Sequence, residues 1–347
     1  MSDRIRGMHP RRVTIRTVAD AARVSTATVS RVMSGADTVN TELAARVRRV
    51  AEELAYRPSE AARSLARGGL RHVGILMPDL GNSYFHDIAK HMHRAAAQAG
   101  FRMLIADHTG DPGDEFATAW DLMGHVDGLA LLSSRITPTS LKELARQSIP
   151  VVLVNRMELG VDLPMVGVDG FTGMLELCAH LADLGHRQVV YLSGSDHSWQ
   201  DRERWRGIQT SSFLGIEAVR VECDGTIEAG YLAIEQALTH HPTALICFND
   251  LSAIGAISKL RKLGIGVPSD ISVTGFDDIT IGRHVHPALT TVDSPRAELG
   301  RQAWSLLHAA LDQQRSAEVS TLLPTSLIKR QSTGPNTKTG KPPRKLH

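Results

Sequence analysis

Hydrophobic residues near the amino terminus recur at helical spacing. Val18, Ala21 and Ala22 predict a short helix over about residues 15–22, with Thr14 as N-cap, after which Arg23-Val24 turns the chain. Ser25 caps a second helix whose Val29, Val32 and Met33 fall at i, i+3 and i+4, leaving Ala27, Ser30 and Arg31 on the opposite side. Asn40 caps a third over 41–55, with Leu43, Val47, Val50 and Leu54 at core spacing. From His72 the pattern changes to apolar runs separated by helical segments. HVGILM, FRMLIA, GLALLS and VVLVN predict buried parallel strands, and MVGVD, QVVYL, TALICF and ISVTGF a second set. The pattern is a small helical module followed by two α/β layers.

A chain of 347 residues exceeds what one hydrophobic core usually supports, which agrees with two or three domains. No apolar run reaches the roughly 18 residues that span a bilayer, so no membrane partner is expected. MSDRIRGMHPRR carries charges without the apolar stretch of a secretory signal, and a cytoplasmic location follows as the expectation. Cys178, Cys223 and Cys247 show no CxxC spacing and are expected to be reduced core residues. Charge changes the picture more. The formal net charge is +2, but residues 1–71 hold fourteen arginines, no lysine and seven acids, a net of +7 that leaves −5 for the rest. A basic front on an acidic body suits a module that meets a polyanion.

The second helix is the natural part to meet it. A short helix, a tight turn and a helix with a small polar outer face form a helix-turn-helix, whose second helix enters the major groove of DNA. Arg31 is the side chain on that face able to fork onto guanine, while Thr26, Thr28 and Ser30 offer hydroxyls to phosphates. The same pattern also suits an ordinary core helix with a solvated arginine.

TIRTVADAARVSTATVSRVMSG followed by YRPSEAARSLARG resembles the LacI (lactose-repressor) family of bacterial transcription regulators. The likeness continues through VGILMPDLGNSYF, VDGLALL, IPVVLVNR, LGHRQVVYLSG, FNDLSAIGA, GVPSDISVTGFDD, PALTTVDSPRAELG and LLPTSLIKR. It implies an all-α helix-turn-helix domain joined to a periplasmic-binding-protein-like α/β body of two doubly wound parallel-sheet subdomains. The implied layout is a basic arm at 1–12, the DNA-binding domain at 13–57, a hinge helix and linker at 58–71 and the effector and dimerisation domain at 72–331. Its subdomains take 72–160 with 292–319, and 161–291 with 320–331, joined by crossovers near 155–163, 277–290 and 318–322. Residues 332–347 are expected to be a disordered tail, basic and proline-containing from Gly334 on.

The resemblance implies a homodimer on a pseudo-palindromic double-stranded operator. DNA contacts would come from Thr14, Ile15, Arg16, Ser25, Thr26, Ala27, Thr28, Ser30, Arg31 and Asn40. In the hinge helix Leu65 would wedge between base steps in the minor groove, with Ala62 and Ala66 small enough for two hinges to meet. Ser59 stands where the family often has asparagine.

Ligands of open α/β sheets bind beyond the carboxyl ends of the strands, so a small-molecule effector belongs between the subdomains. Strand ends and family motifs together nominate Tyr84, Phe85, Asn155, Asp169, Arg204, Asn249 and Asp277. Each has a plainer alternative: Phe85 in a core, Asn249-Asp250 as a helix cap, Asp277-Asp278 as a turn. Three departures bear on the effector: Gly170 in the usual VDN, Asn155 for a common aspartate, and Gly225 where an aromatic is frequent. Amide, carboxylate and guanidinium groups together favour a sugar or sugar derivative. No GxGxxG follows a strand, no GxxxxGK[ST] is present, and SGSDH lacks the nucleophile-elbow spacing, so no enzyme activity and no cofactor are expected. His86, His91 and His93 lie five and two apart, the wrong separations for a metal pair on one helix face. A solute-binding receptor would share the body but need a signal peptide instead of the basic module.

Overall fold

The structure is a computed structural model and describes residues 13–34, 39–56, 69–108, 111–312 and 320–337. Its contacts divide the chain into two compact units, Met1–Arg71 and His72–His347. The first holds α1 (Ile15–Ala22), α2 (Thr26–Met33) and α3 (Thr41–Glu53). Thr14 caps α1 in a reciprocal pair with Thr17, and Arg23 ends it in the left-handed region at φ 55°. Ser25 caps α2 by accepting from the Thr28 amide at 3.1 Å, and Asn40 caps α3 through the Glu42 amide at 2.9 Å. The three helices close on Val18, Ala19, Ala22, Val29, Val32, Ala44, Val47 and Ala51. Ala19 therefore takes the core place expected of Ala21, which is exposed. On α3 the buried face is Ala44, Val47 and Ala51, and Leu43, Val50 and Leu54 flank it half-buried. Small residues face the tight three-helix junction and larger ones cover its rim. The arm at 1–12 and the hinge residues Ala62, Leu65 and Ala66 lie outside the described residues.

The second unit runs β1 (His72–Met77), α4 (Ser83–Gln98), β2 (Arg102–Asp107), α5 (Pro112–Met123), β3 (Gly128–Leu132), α6 (Pro138–Ala145), β4 (Val151–Val154) and β5 (Met165–Val168). It continues through α7 (Gly170–Asp183), β6 (Gln188–Leu192), α8 (Trp199–Thr210), β7 (Glu217–Val221), α9 (Ile227–Leu232), α10 (Ile234–Leu238), β8 (Ala244–Cys247), α11 (Asp250–Lys262) and β9 (Ser272–Thr274). Last come β10 (Thr291–Asp293), α12 (Arg296–Leu311), β11 (Ser320–Leu323) and β12 (Ser326–Ile328). A six-stranded parallel sheet has the order β11-β5-β4-β3-β1-β2, and a four-stranded one β7-β6-β8-β9. β10 and β12 form a separate antiparallel ribbon.

This topology corrects several expectations. MVGV at 165–168 belongs to the first sheet, where Leu153 pairs with Met165 and Val154 with Val166, because the helix-free loop before it returns the chain directly beside β4. β11 pairs with β5 in the same sheet, so 320–323 does not fall in the second subdomain. The crossovers accordingly lie later than expected, between β5 and α7, between β10 and α12, and between β11 and β12. FRMLIA is an edge strand, exposed at Arg102, Leu104, Ile105 and Asp107 rather than buried on both faces. β7 escaped the hydrophobic pattern because Glu217 and Arg220 interrupt it. The tail is also more ordered than expected: the Asn336 amide donates to the Leu184 carbonyl at 2.8 Å, and the His186 ring meets the Gly334 carbonyl at 3.0 Å. Residues 338–347 lie outside the described residues. Cys178, Cys223 and Cys247 are buried free thiols, their pKa values raised by burial.

Close backbone contact fixes the helix that carries Asn249. A Cβ on Gly255 of α11 would sit 1.9 Å from the Ile227 carbonyl oxygen of α9, an overlap that backbone atoms relieve only by moving apart. Gly255→Ala is expected to destabilise the second unit by about 1–3 kcal/mol or more, a melting-temperature loss of several degrees by calorimetry.

Candidate functional site

Two surfaces present the groups singled out from the sequence. In the first unit the outward side of α2 exposes Thr26, Ala27 and Arg31, with Thr28 and Ser30 half-buried. Thr28 also lies 2.9 Å from the Ser25 hydroxyl, so this pair serves the helix start while staying at the surface. Arg16 and Thr14 are exposed beside α1, Asn40 is exposed at the start of α3, and Ile15 packs half-buried against the core. The helix thus offers small residues that permit close approach and one long cation that can reach from them.

In the second unit, a cleft opens at the carboxyl ends of β1, β3, β4, β8 and β9. Six of the seven nominated residues line it: Tyr84, Phe85, Asn155, Arg204, Asn249 and Asp277. Asp169 does not. It caps α7, accepting from the Thr172 amide at 2.9 Å, and its carbonyl accepts from the Thr325 hydroxyl at 3.0 Å. Asn82, Ser133, Arg135, Ser198, Gln200 and Phe248 also line the cleft and were not foreseen. Ser133 and Phe248 follow strands β3 and β8, where the strand-end rule applies, and Asn82 and Ser198 are N-caps recognisable by type. Nothing local marks Gln200, which enters through the position of α8.

Arg204 organises the cleft floor. It is 4% exposed, with its guanidinium carbon 3.7 Å from the Phe276 ring centre and 4.5 Å from that of Phe248. Its Nη2 lies 3.4 Å from Asp277 Oδ1 and its Nη1 donates to the Phe248 carbonyl. The aromatic wall thus comes from the end of β8. At Gly225, where an aromatic was missed, a Cβ would lie 2.9 Å from the Phe248 ring, so that ring occupies the adjoining space. The Asn249 side-chain oxygen caps α11, accepting from the Ser252 amide at 2.9 Å. Below it, Asp250 accepts from the Ile279 amide and the Thr291 hydroxyl, and burial together with neighbouring Asp277 pushes its pKa well up.

Two polar atoms on this surface are buried without hydrogen-bond partners, Asn155 Oδ1 and Arg204 Nε, an acceptor and a donor. Such atoms are uncommon in a finished core and suit a surface completed by a ligand. The backbone agrees: Ser133, Asn155 and Asp277 hold φ of 50°, 59° and 111°, strain that gathers where side chains must be aimed. Tyr84 is buried with its hydroxyl 3.1 Å from Ser294, and burial raises its pKa. His86 and His93 are exposed and His91 half-buried. Among the described residues no group of three His, Cys, Asp or Glu side chains is arranged to hold a metal ion. Nor, among them, is any helix long and apolar enough to cross a membrane.

Comparison with known proteins separates the two units in the same way. The family model for bacterial regulatory proteins, lacI family, matches residues 14–59, and that for a periplasmic binding protein-like domain matches 178–333. The HTH-type transcriptional repressor CytR of Escherichia coli (strain K12) is 33% identical over 328 residues, covering 92% of this chain and 96% of CytR. The chain belongs to the LacI family. This LacI-family regulator is also 30% identical to the catabolite control protein A of Priestia megaterium, over 92% of its own length and 99% of that protein. Among solved structures it is similar to the Lac repressor dimer bound to operator and the anti-inducer ONPF, with TM-score 0.82 and 27% identity over 93% of this chain and 100% of that one. A transcriptional regulator CelR–cellobiose complex matches with TM-score 0.70 and 27% identity, over 92% and 100% of the two chains. The regulator is therefore a DNA-binding transcription factor with an α/β body of the periplasmic-binding-protein type.

The cleft makes a pH-dependent contribution to stability. Burial lifts the Asp277 carboxyl from the usual 3.8 to about 6, and the guanidiniums of Arg204 and Arg296 keep it from rising further. Between those values the folded chain keeps a proton that the unfolded chain has lost. The stabilisation is complete below about pH 4 and is lost as pH rises through 6, a change of about 3 kcal/mol. Asp277→Asn should flatten that part of the curve of unfolding free energy against pH, whatever its effect on stability overall; a slope unchanged between pH 4 and 6 would place the carboxyl's titration elsewhere.

Proposed function

We propose that the regulator binds a pseudo-palindromic operator as a homodimer through α2 and acts as a repressor under the control of a sugar-like effector held in the cleft. The observation that carries this reading is the convergence of six strand-end and helix residues, drawn from both halves of the body, on one surface with an orphaned acceptor and an orphaned donor. Arg31 reads a guanine, flanked by hydroxyls of Thr26, Thr28 and Ser30 on phosphates, with Thr14, Ile15, Arg16, Ser25, Ala27 and Asn40 placing the module on the backbone. Ala62, Leu65 and Ala66, outside the described residues, are assigned to minor-groove contact on the family likeness. A relative named for its cellobiose complex supports a sugar, and Asn155, Arg204, Asn249 and Asp277 match hydroxyls in donor and acceptor type. The protein acts by binding in the cytoplasm and not by catalysis. Effector binding favours one of two arrangements of the body, and the difference in affinity is what reaches the DNA.

Arg31→Ala is expected to lose about 1–3 kcal/mol of operator affinity and to relax discrimination at one base pair of each half-site, measured by gel shift on single-position operator variants. Binding indistinguishable from the parent on operator and scrambled DNA would remove Arg31 from base reading. Arg204→Ala should leave ligand-free operator affinity within about threefold while abolishing the response to the effector, since its contacts are those of the cleft floor. Loss of the cooperative melt instead would make Arg204 a structural residue.

A further inference from the structure

Gln200 belongs to the second half of the body and reaches into the first. Its neighbour Asp201 ties the start of α8 to the second sheet: Asp201, 1% exposed, accepts from the Tyr191 hydroxyl of β6 and the Gly194 amide, each at 2.7 Å, and pairs with Arg220 of β7 at 2.8 Å. From that anchor the Gln200 carboxamide crosses the cleft. Its Nε2 donates to Ser133 Oγ at 3.1 Å, after β3, and to the Asn155 carbonyl oxygen, after β4. Its Oε1 accepts from the Ser198 hydroxyl at 2.9 Å, which fixes the amide's orientation. Asn155 Nδ2 donates to the same Ser133 oxygen at 2.9 Å, and Asn155 Oδ1 is left over.

We infer that the Gln200 side chain is a built-in surrogate ligand, latching the two halves together until a donor-bearing group of the effector displaces it. This rests on the cleft being the effector site and adds which face of the effector is read there. The closed cleft has a free volume of only about 40 Å3. That admits a few waters at most and not a sugar ring. An occupant must therefore move a side chain, and Gln200 spans the gap. Once it leaves, the first-half wall presents Ser133 Oγ, the Asn155 carbonyl and Asn155 Oδ1, all able to accept. Buried acceptors demand donor hydrogens. A pair of adjacent hydroxyls supplies them with no net charge, and a carboxylate or phosphate does not. The effector face set against Ser133 and Asn155 is accordingly that of a neutral polyol, with any anionic group directed toward the cleft's arginines, Arg135 and Arg204.

Amide hydrogen exchange of the ligand-free, full-length protein tests the latch without any effector. Gln200→Ala should quicken exchange in segments 133–136 and 155–157 by roughly tenfold or more and enlarge the radius of gyration seen by X-ray scattering, because the closed state loses the polar contact that spans the cleft. Gln200→Glu keeps the volume but sets a carboxylate against the acceptors, so at pH 8 it should open the cleft likewise. Unchanged exchange and radius in either folded variant would overturn the latch. In the second arm, D-glucose, cellobiose and gluconate are titrated into both proteins by calorimetry. A neutral sugar binding about tenfold tighter to Gln200→Ala than to the parent is the expected result, since ligand no longer competes with the amide. A greater tightening of gluconate than of either neutral sugar on going from the parent to Gln200→Ala would overturn the acceptor wall. The two readings fail separately: quickened exchange with an effector response that survives Arg204→Ala keeps the latch and removes the effector assignment.

Discussion

The Arg204 guanidinium is a cation almost without solvent, held between the Phe248 and Phe276 rings and paired edge-on with Asp277. A charge so buried is tolerable only where counter-charge and hydrogen bonds surround it, and here they come from the ends of β8 and β9. The pairing is incomplete, since Nε finds no partner, so the protein keeps a strong donor poised on the cleft floor. The cleft's polarity and the placing of the aromatic wall follow from accommodating this one side chain, which also restrains the proton affinity that burial raises at Asp277.

A second layer of charge lies where the chain passes between the two sheets. Asp278 receives Arg330 and Arg283, both at 2.5 Å, and its carbonyl accepts from Arg296 at 3.0 Å. Arg296 opens α12 and Arg330 follows β12, so two segments that flank crossovers are pinned to the end of β9. The knot ties the two halves together beside their crossovers. The buried Asp250 accepts from neutral donors instead, the Ile279 amide and the Thr291 hydroxyl, and burial together with neighbouring Asp277 raises its pKa.

Much of the architecture was legible in the residues. Cap types and apolar spacing located all three helices of the first unit to within two residues, because a helix start needs a side-chain acceptor that only a few residue types provide. The strand-end rule brought Tyr84, Phe85, Asn155, Asn249 and Asp277 together, because parallel strands deliver their carboxyl ends to one edge. Asp169 obeyed the same rule and still missed, as its carboxylate was already engaged in capping α7.

By itself the sequence determined local matters: where helices begin, which runs are apolar enough for strands, the basic front against the acidic body, and the family likeness. Each depends on neighbours within a turn or a strand, or on composition. Only the tertiary structure decided which sheet received 165–168 and 320–323, that FRMLIA lies at an edge, that Phe248 fills the space beside Gly225, and that Gln200 crosses the cleft. Strand order and cross-cleft contacts are set by packing between segments up to about 155 residues apart, as in the pairing of β5 with β11, and hydrophobic pattern carries no record of which partner a buried strand will choose.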